Sequence, residues 1–411
     1  MIRRYLLLFA LPLTFPLTGL LTGLEKTATP EAAGLSASRL ERVTSAMKAD
    51  LAAGRVPGAL ALVARKGKIT YLETAGFADR ERQKPIRPDT IFRIYSMTKP
   101  IVGVGLMMLY EEGKFQLKDP VSRYIPQLAK LQVLENGALV PAKREITIQD
   151  LLRHTAGMTY GLFSKGPVDD LYTAAKPLEA ADLDEFIVRL AKLPLRQQPG
   201  SLWHYSVAVD VQGKLIEALS GMSLDRYLEE RIFRPLGMVD TGFHVPTAKL
   251  PRFAQMYVAG KQGLELVPAS SSERFLNQNL KFFSGGGGLL STAADYLNFC
   301  QMMLNGGELN GNRLLSRKTV ELMTADHLGD IPGRRGSGYG FGLGVAVHTD
   351  PAGSGLNGST GEYNWSGLAG TRFWIDPKEQ LIGIYMIQVL PPRDPDPGLL
   401  FKQLVYQSIV D

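Results

Sequence analysis

From Ile101 to Leu109 the chain reads Ile-Val-Gly-Val-Gly-Leu-Met-Met-Leu, apolar on nearly every side of a helix. Such a segment reads as a fully buried central helix, and it is far too short to cross a bilayer. The fold must therefore wrap other layers around it. With 411 residues there is chain enough for two or three structural units, at about one per 150 residues. At 45% hydrophobic and 21% charged, the composition excludes a collagen, a coiled coil or wholesale disorder. The formal charge of +6 is scattered among acids, as in Asp79-Arg80-Glu81-Arg82. That is a mixed solvated surface, not the concentrated basic face of a nucleic-acid binder.

Around the helix two textures alternate. Ala59 to Val63 and Ile69 to Leu72 flank Arg65-Lys66-Gly67-Lys68, a hairpin pattern with a glycine-containing turn. Pro88-Asp89-Thr90 breaks the chain before a strand-like run from Ile91 to Tyr95. Residues from about 120 to 275 show helical periodicity with Pro and Gly punctuation, as in Ile148 to Leu152 and Leu183 to Leu193. Strand-like runs then return at Gly340 to Val347, Thr371 to Ile375 and Leu381 to Ile387, and a helix from Gly398 to Val410 closes the chain. The expected fold class is α/β (α+β). Residues 27–120 and 276–411 form one mixed domain, with residues 121–275 inserted as a mostly helical one.

Cys300 is the single cysteine, which excludes an intramolecular disulfide and a thiolate metal cluster. It reads as a buried, inert thiol on a half-buried helix. Residues 1–26 form an N-terminal apolar segment: Arg3 and Arg4 precede a mostly apolar stretch from Tyr5 to Leu24. This is the charge order of a secretory signal, and Arg3-Arg4-Tyr5-Leu6-Leu7 also resembles a twin-arginine signal. No clean small-x-small cleavage site follows. The expected location is periplasmic or secreted, with a cytoplasmic protein as the alternative. No other segment is apolar enough to span a bilayer, so a mature chain without a stable membrane span is expected.

Chemistry concentrates at Ser96-Met97-Thr98-Lys99. On a helix, residues three apart share a face, with Cβ atoms about 5–6 Å apart. Lys99, held neutral, can then take the Ser96 proton, and the positive end of the helix dipole favours a developing oxyanion. The tetrapeptide alone says little, because Ser45-Ala46-Met47-Lys48 repeats the spacing on what reads as an amphipathic surface helix. Ser96 differs in having a strand-like run before it and the buried helix after it, although a serine capping a core helix would look the same. Tyr205-Ser206-Val207 follows the turn-rich Gln198-Pro199-Gly200-Ser201 and precedes an amphipathic helix. A tyrosine at such a junction can present its phenol to a cleft as a proton shuttle; on its own it would read as a packed aromatic.

With these motifs the chain resembles the serine β-lactamase-related family, penicillin-binding-protein-like proteins included, and is most similar to class C β-lactamases and family VIII carboxylesterases. The family's S-x-x-K falls on Ser96 and Lys99, its Y-x-N on Tyr205-Ser206-Val207, and its third motif on Trp365-Ser366-Gly367. Leu151 to Gly157, Pro235-Leu236-Gly237-Met238 and Gly285 to Gly288 are supporting landmarks. The resemblance covers the chain from about Leu35 onward. It implies a β-lactamase/transpeptidase-like antiparallel sheet flanked by helices, and a serine hydrolase working through an acyl-enzyme on Ser96. It further implies Ser96, Lys99 and Tyr205 as catalytic residues and the backbone N–H groups of Ser96 and Leu368 as the oxyanion hole. Trp365, Ser366, Gly367 and Val207 would bind the substrate. No metal or cofactor is called for.

Two positions depart from the lactamase pattern. Val207 lacks the amide that lactamases carry there, and Trp365 replaces a lysine that would attract a substrate carboxylate with a neutral, donor-only indole. A W-x-G third motif is similar to that of family VIII esterases. The expected activity is hydrolysis of small carboxylic esters, the partner being a small ester or amide substrate; the alternative is a β-lactamase or D,D-peptidase. His154 reads as a structural hydrogen-bonder, His204 as a residue that either packs or lines the cleft, and His244, His327 and His348 lack metal-ligand spacing. Gly285 to Gly288 lacks the ending of a phosphate loop and points to close backbone packing.

Overall fold

A computed structural model describes residues 26–260, 263–333, 336–391 and 395–411. The N-terminal apolar segment up to residue 25, with its export reading, lies outside the described residues. Among those described, no helix is long and apolar enough to cross a membrane.

One eight-stranded sheet organises the molecule. In chain order its strands are β1 (Gly58–Arg65), β2 (Lys68–Asp79), β3 (Lys84–Pro85), β4 (Tyr339–Phe341), β5 (Ala346–His348), β6 (Tyr363–Ser366), β7 (Arg372–Asp376) and β8 (Leu381–Met386). Their spatial order is β4-β5-β6-β7-β8-β1-β2-β3, with every pairing antiparallel. Helices cover both faces. On one side α1 (Ala37–Ala52) and α5 (Pro397–Tyr406) pack Leu40, Val43, Phe401 and Val405 against Ala61, Val63, Trp374 and Tyr385. On the other, α2 (Thr98–Glu111), α3 (Ala208–Ser220) and α4 (Ala293–Leu304) share a core with Leu60, Leu62, Phe373, Ile375 and Ile384. Neighbouring residues of β1 thus serve opposite cores, which is why all eight are buried.

The helix α2 is enclosed as its sequence requires, with Thr98 to Leu109 all buried. The Tyr227 hydroxyl donates to the Gly105 carbonyl (3.0 Å) and the Tyr296 hydroxyl to that of Met97 (2.9 Å). Cys300 is buried on α4. Ser45 and Lys48, the competing tetrapeptide, lie on α1.

One reading needs correction. Gly340 to Val347 is not one strand but a tight hairpin, β4 paired with β5. The reason is local: Gly344 takes φ +104°, and a Cβ on Gly342 would lie 2.1 Å from the Met323 carbonyl oxygen. Residues 121–275 are mostly helical, with two hairpins among the helices, Gln132–Glu135 with Ala138–Pro141 and Tyr257–Gly260 with Gly263–Leu266. The core cluster below the sheet runs on without a break into this segment, through Leu151, Phe186, Leu215 and Tyr227.

The landmark from Leu151 to Gly157 is fastened by Asp150, which is fully buried. Its carboxylate accepts from Arg144 (2.6 Å), the Thr147 N–H (3.0 Å), Thr155 (2.7 Å) and Arg153 (3.1 Å). Burial opposes the charge, but these donors outweigh it and hold the carboxyl at about 2. Because the folded value lies below the unfolded one, the ionised carboxylate stabilises the fold above about pH 4, and that contribution fades as pH falls toward about 2. Asp150→Asn is expected to cost about 2 kcal/mol at neutral pH. The gap to the wild type in urea unfolding should close on acidification; a gap constant with pH contradicts this account.

Candidate active site

The segment Phe92–Arg93 pairs with Leu290–Ser291, and the chain then enters a 3-10 turn, Tyr95–Met97, that leads directly into α2. Tyr95 takes φ +42°, a strained value for a residue with a side chain, immediately before Ser96. Lys99 lies one turn further on, only 1% exposed. Its ammonium group donates to Ser96 Oγ (3.1 Å) and to the Gly286 carbonyl (2.5 Å). It also lies 4.6 Å from the centre of the Tyr205 ring and 5.3 Å from that of Tyr160, both within cation–π range.

Tyr205 arrives from another part of the fold, just before α3, and its hydroxyl donates to Ser96 Oγ at 2.6 Å. The approach is pinned by backbone bonds from Gly200 to Thr155, Trp203 to Pro332 and His204 to His154, each 2.8 Å. His154 is fully buried at φ +58°, and its Nδ1 accepts from the Ser206 N–H at 3.4 Å. Burial, helped by the nearby Lys99 charge, holds this imidazole well below its usual range, so it stays neutral. It is a structural support for the tyrosine loop. His204 faces Thr159 (3.2 Å) and Ser164 (3.4 Å) instead of the cleft.

The third motif enters on β6. Trp365 lies opposite Phe373 across the strand pair, with its ring 5.4 Å from that of Tyr205. Gly367 lets the strand end touch the segment before Ser96: a Cβ there would lie 2.4 Å from the Ile94 carbonyl oxygen and 2.2 Å from Thr371 Oγ1. The result is a cleft of ≈ 240 Å³ lined by Ser96, Phe163, Trp203, Tyr205, Trp365, Ser366, Gly367 and Leu368. A larger hollow of ≈ 450 Å³ between Leu128 and Leu195 holds no nucleophile beside a base.

The structure thus brings Ser96, Lys99, Tyr205, Trp365, Ser366, Gly367 and Leu368 to one place. Val207 must be corrected: it is fully buried where α3 begins and is not among the residues lining the cleft. An apolar residue at a core position needs no substrate to explain it. Four residues went unrecognised in the sequence. Phe163 and Trp203 complete the aromatic lining, whereas Tyr160, partly buried, and Asp210, fully buried, lie beside Lys99. Only the turn-rich setting of Trp203, two positions before Tyr205, hinted at any of them.

Comparison with known proteins identifies the family. The family described as Beta-lactamase matches residues 43–406. Esterase EstB of Burkholderia gladioli is 34% identical over 366 residues, which is 84% of this chain and 90% of that protein. An uncharacterised protein of Mycobacterium tuberculosis is 37% identical, covering 84% of this chain and 88% of its own length. Among solved structures, EstCE1, described as a hydrolase with promiscuous acyltransferase activity, superposes with a TM-score of 0.77. It is 27% identical over 90% of this chain and 98% of that one.

Proposed function

Since the chain belongs to the beta-lactamase family, we propose that it is a serine hydrolase cleaving small carboxylic esters through an acyl-enzyme on Ser96. One observation carries the reading: Ser96 Oγ lies 3.1 Å from the Lys99 nitrogen and 2.6 Å from the Tyr205 hydroxyl, at the floor of an aromatic cleft. Ser96 Oγ attacks the ester carbonyl as its proton passes to Lys99, which reacts in its amine form. Tyr205 gives its own proton to the departing alcohol oxygen and recovers one from Lys99. Water, admitted where the alcohol left, repeats the sequence and frees the acid. The N–H groups of Ser96 and Leu368 are the proposed oxyanion donors, each typically worth about 3–4 kcal/mol.

The ester preference rests on what lines the cleft beside the nucleophile. Trp365 and Trp203 offer apolar area and no cation for a lactam's carboxylate. Purified protein assayed side by side is expected to turn over p-nitrophenyl butyrate much faster than nitrocefin; the reverse order would instead identify a lactamase. The same lining favours an alcohol over water as acyl acceptor. EstCE1, whose description names acyltransferase activity, makes transfer to an added alcohol a second product to look for in that assay. We also propose export from the cell, on the charge order of the N-terminal segment.

A further inference from the structure

Behind the reacting atoms sits a carboxylate with no part in the proton steps above. Asp210, on the first turn of α3, is fully buried. Its Oδ1 accepts from Ser284 Oγ (2.6 Å) and from the Gly286 N–H (3.0 Å). The carbonyl of that same Gly286 accepts from Lys99. Its Oδ2 has no hydrogen-bond partner among the described residues. Gly286 is the joint between acid and lysine, and no other residue fits there: a Cβ would lie 2.5 Å from Asp210 Oδ2 and 2.7 Å from the Tyr160 hydroxyl. Lys99 itself has no carboxylate within ion-pair distance among the described residues.

We infer that Asp210 is a positioning residue for the proposed reaction: through Gly286 it aims a carbonyl at Lys99, and its negative charge stabilises the ammonium that Lys99 becomes when Ser96 is deprotonated. The inference rests on the reading of Ser96 as nucleophile. Charge interactions in a buried site act strongly over one intervening residue. The groups around the carboxylate are Lys99 on α2, Arg274 on the short helix Glu273–Leu276, and the phenol of Tyr160. Burial pushes the carboxyl up, and Ser284, Gly286, Lys99 and Arg274 pull the other way without cancelling it, so the group lies above its ordinary value. The Ser284 hydroxyl and the Gly286 N–H both donate to Oδ1, and such donors favour the ionised form. Tyr160 is pushed well above its usual range by burial, then by Tyr205 and Asp210, and stays neutral. Lys99 also faces the neutral His154 and the Tyr205 ring.

The test is the pH dependence of Ser96 phosphonylation by an uncharged p-nitrophenyl phosphonate, followed by nitrophenol release, on the full-length protein. Asp210→Asn keeps the shape and removes the charge, so the ammonium form is less favoured. The acid limb is expected to move to lower pH by about one unit, with a lower plateau rate. Ser284→Ala keeps the carboxylate, with the Gly286 N–H still donating to it, and should move the limb less. A limb unmoved in Asp210→Asn, or moved as far in Ser284→Ala, overturns the inference, even if rates fall. Should the Asn variant not fold, Asp210→Ala is read by the same criterion. A wild type that is not phosphonylated at all refutes the serine reading itself, a separate outcome.

Discussion

Ser96→Ala is expected to reduce turnover of p-nitrophenyl butyrate by about 10⁶-fold, to the level of the Lys99→Ala variant or the double variant. The magnitude follows from how such units behave: once the nucleophile is gone, its base has nothing to deprotonate, and single losses cost as much as combined ones. The variant should remain folded. Ser96 lies in the short turn ahead of α2, and its Oγ meets Lys99 and Tyr205, not the backbone. An unchanged thermal melt with activity lost separates chemistry from stability. Retained activity would move the nucleophile elsewhere in the chain.

Tyr205→Phe is the second large effect. The substitution removes one oxygen, 2.6 Å from Ser96 Oγ, and leaves the ring among Tyr160, Phe163, His154 and Trp365. Binding in the aromatic cleft should survive, so the loss belongs in kcat, at about 10²–10⁴-fold. A rise in KM alone would instead make the tyrosine part of the cleft wall. The proton donor acts on the departing alcohol, so esters with better leaving groups should suffer less.

The distribution of legible and illegible features follows the range of the forces involved. Ser96 and Lys99 could be paired on paper because a helix fixes their separation, and α2 announced itself by being apolar all round. The strands β1, β2, β7 and β8 were visible as short apolar runs. The hairpin of β4 and β5 was not, because Gly342 and Gly344 turn the chain inside a run whose Phe341, Leu343, Val345 and Val347 favour a buried strand. Asp210 and Tyr160 carry no local mark. A buried aspartate in the first turn of an amphipathic helix gains its meaning only from Gly286, brought beside it by folding. Val207 shows the opposite error, since a motif position marked as a substrate contact proved to be part of the core.

At the middle of the sheet, β1 lies directly beside β8, with Leu60 opposite Met386. On a ribosome adding about 5–20 residues per second, Leu60 appears roughly 15 to 65 s before its partner. Throughout that interval the hairpin of β1 and β2 has an open apolar edge, of the kind that invites pairing with other chains. The fold has a high contact order, and its closing step must await nearly the last strand made. Expression in a fast-translating host at high temperature should therefore favour aggregates, and slower synthesis with chaperones present should favour soluble protein.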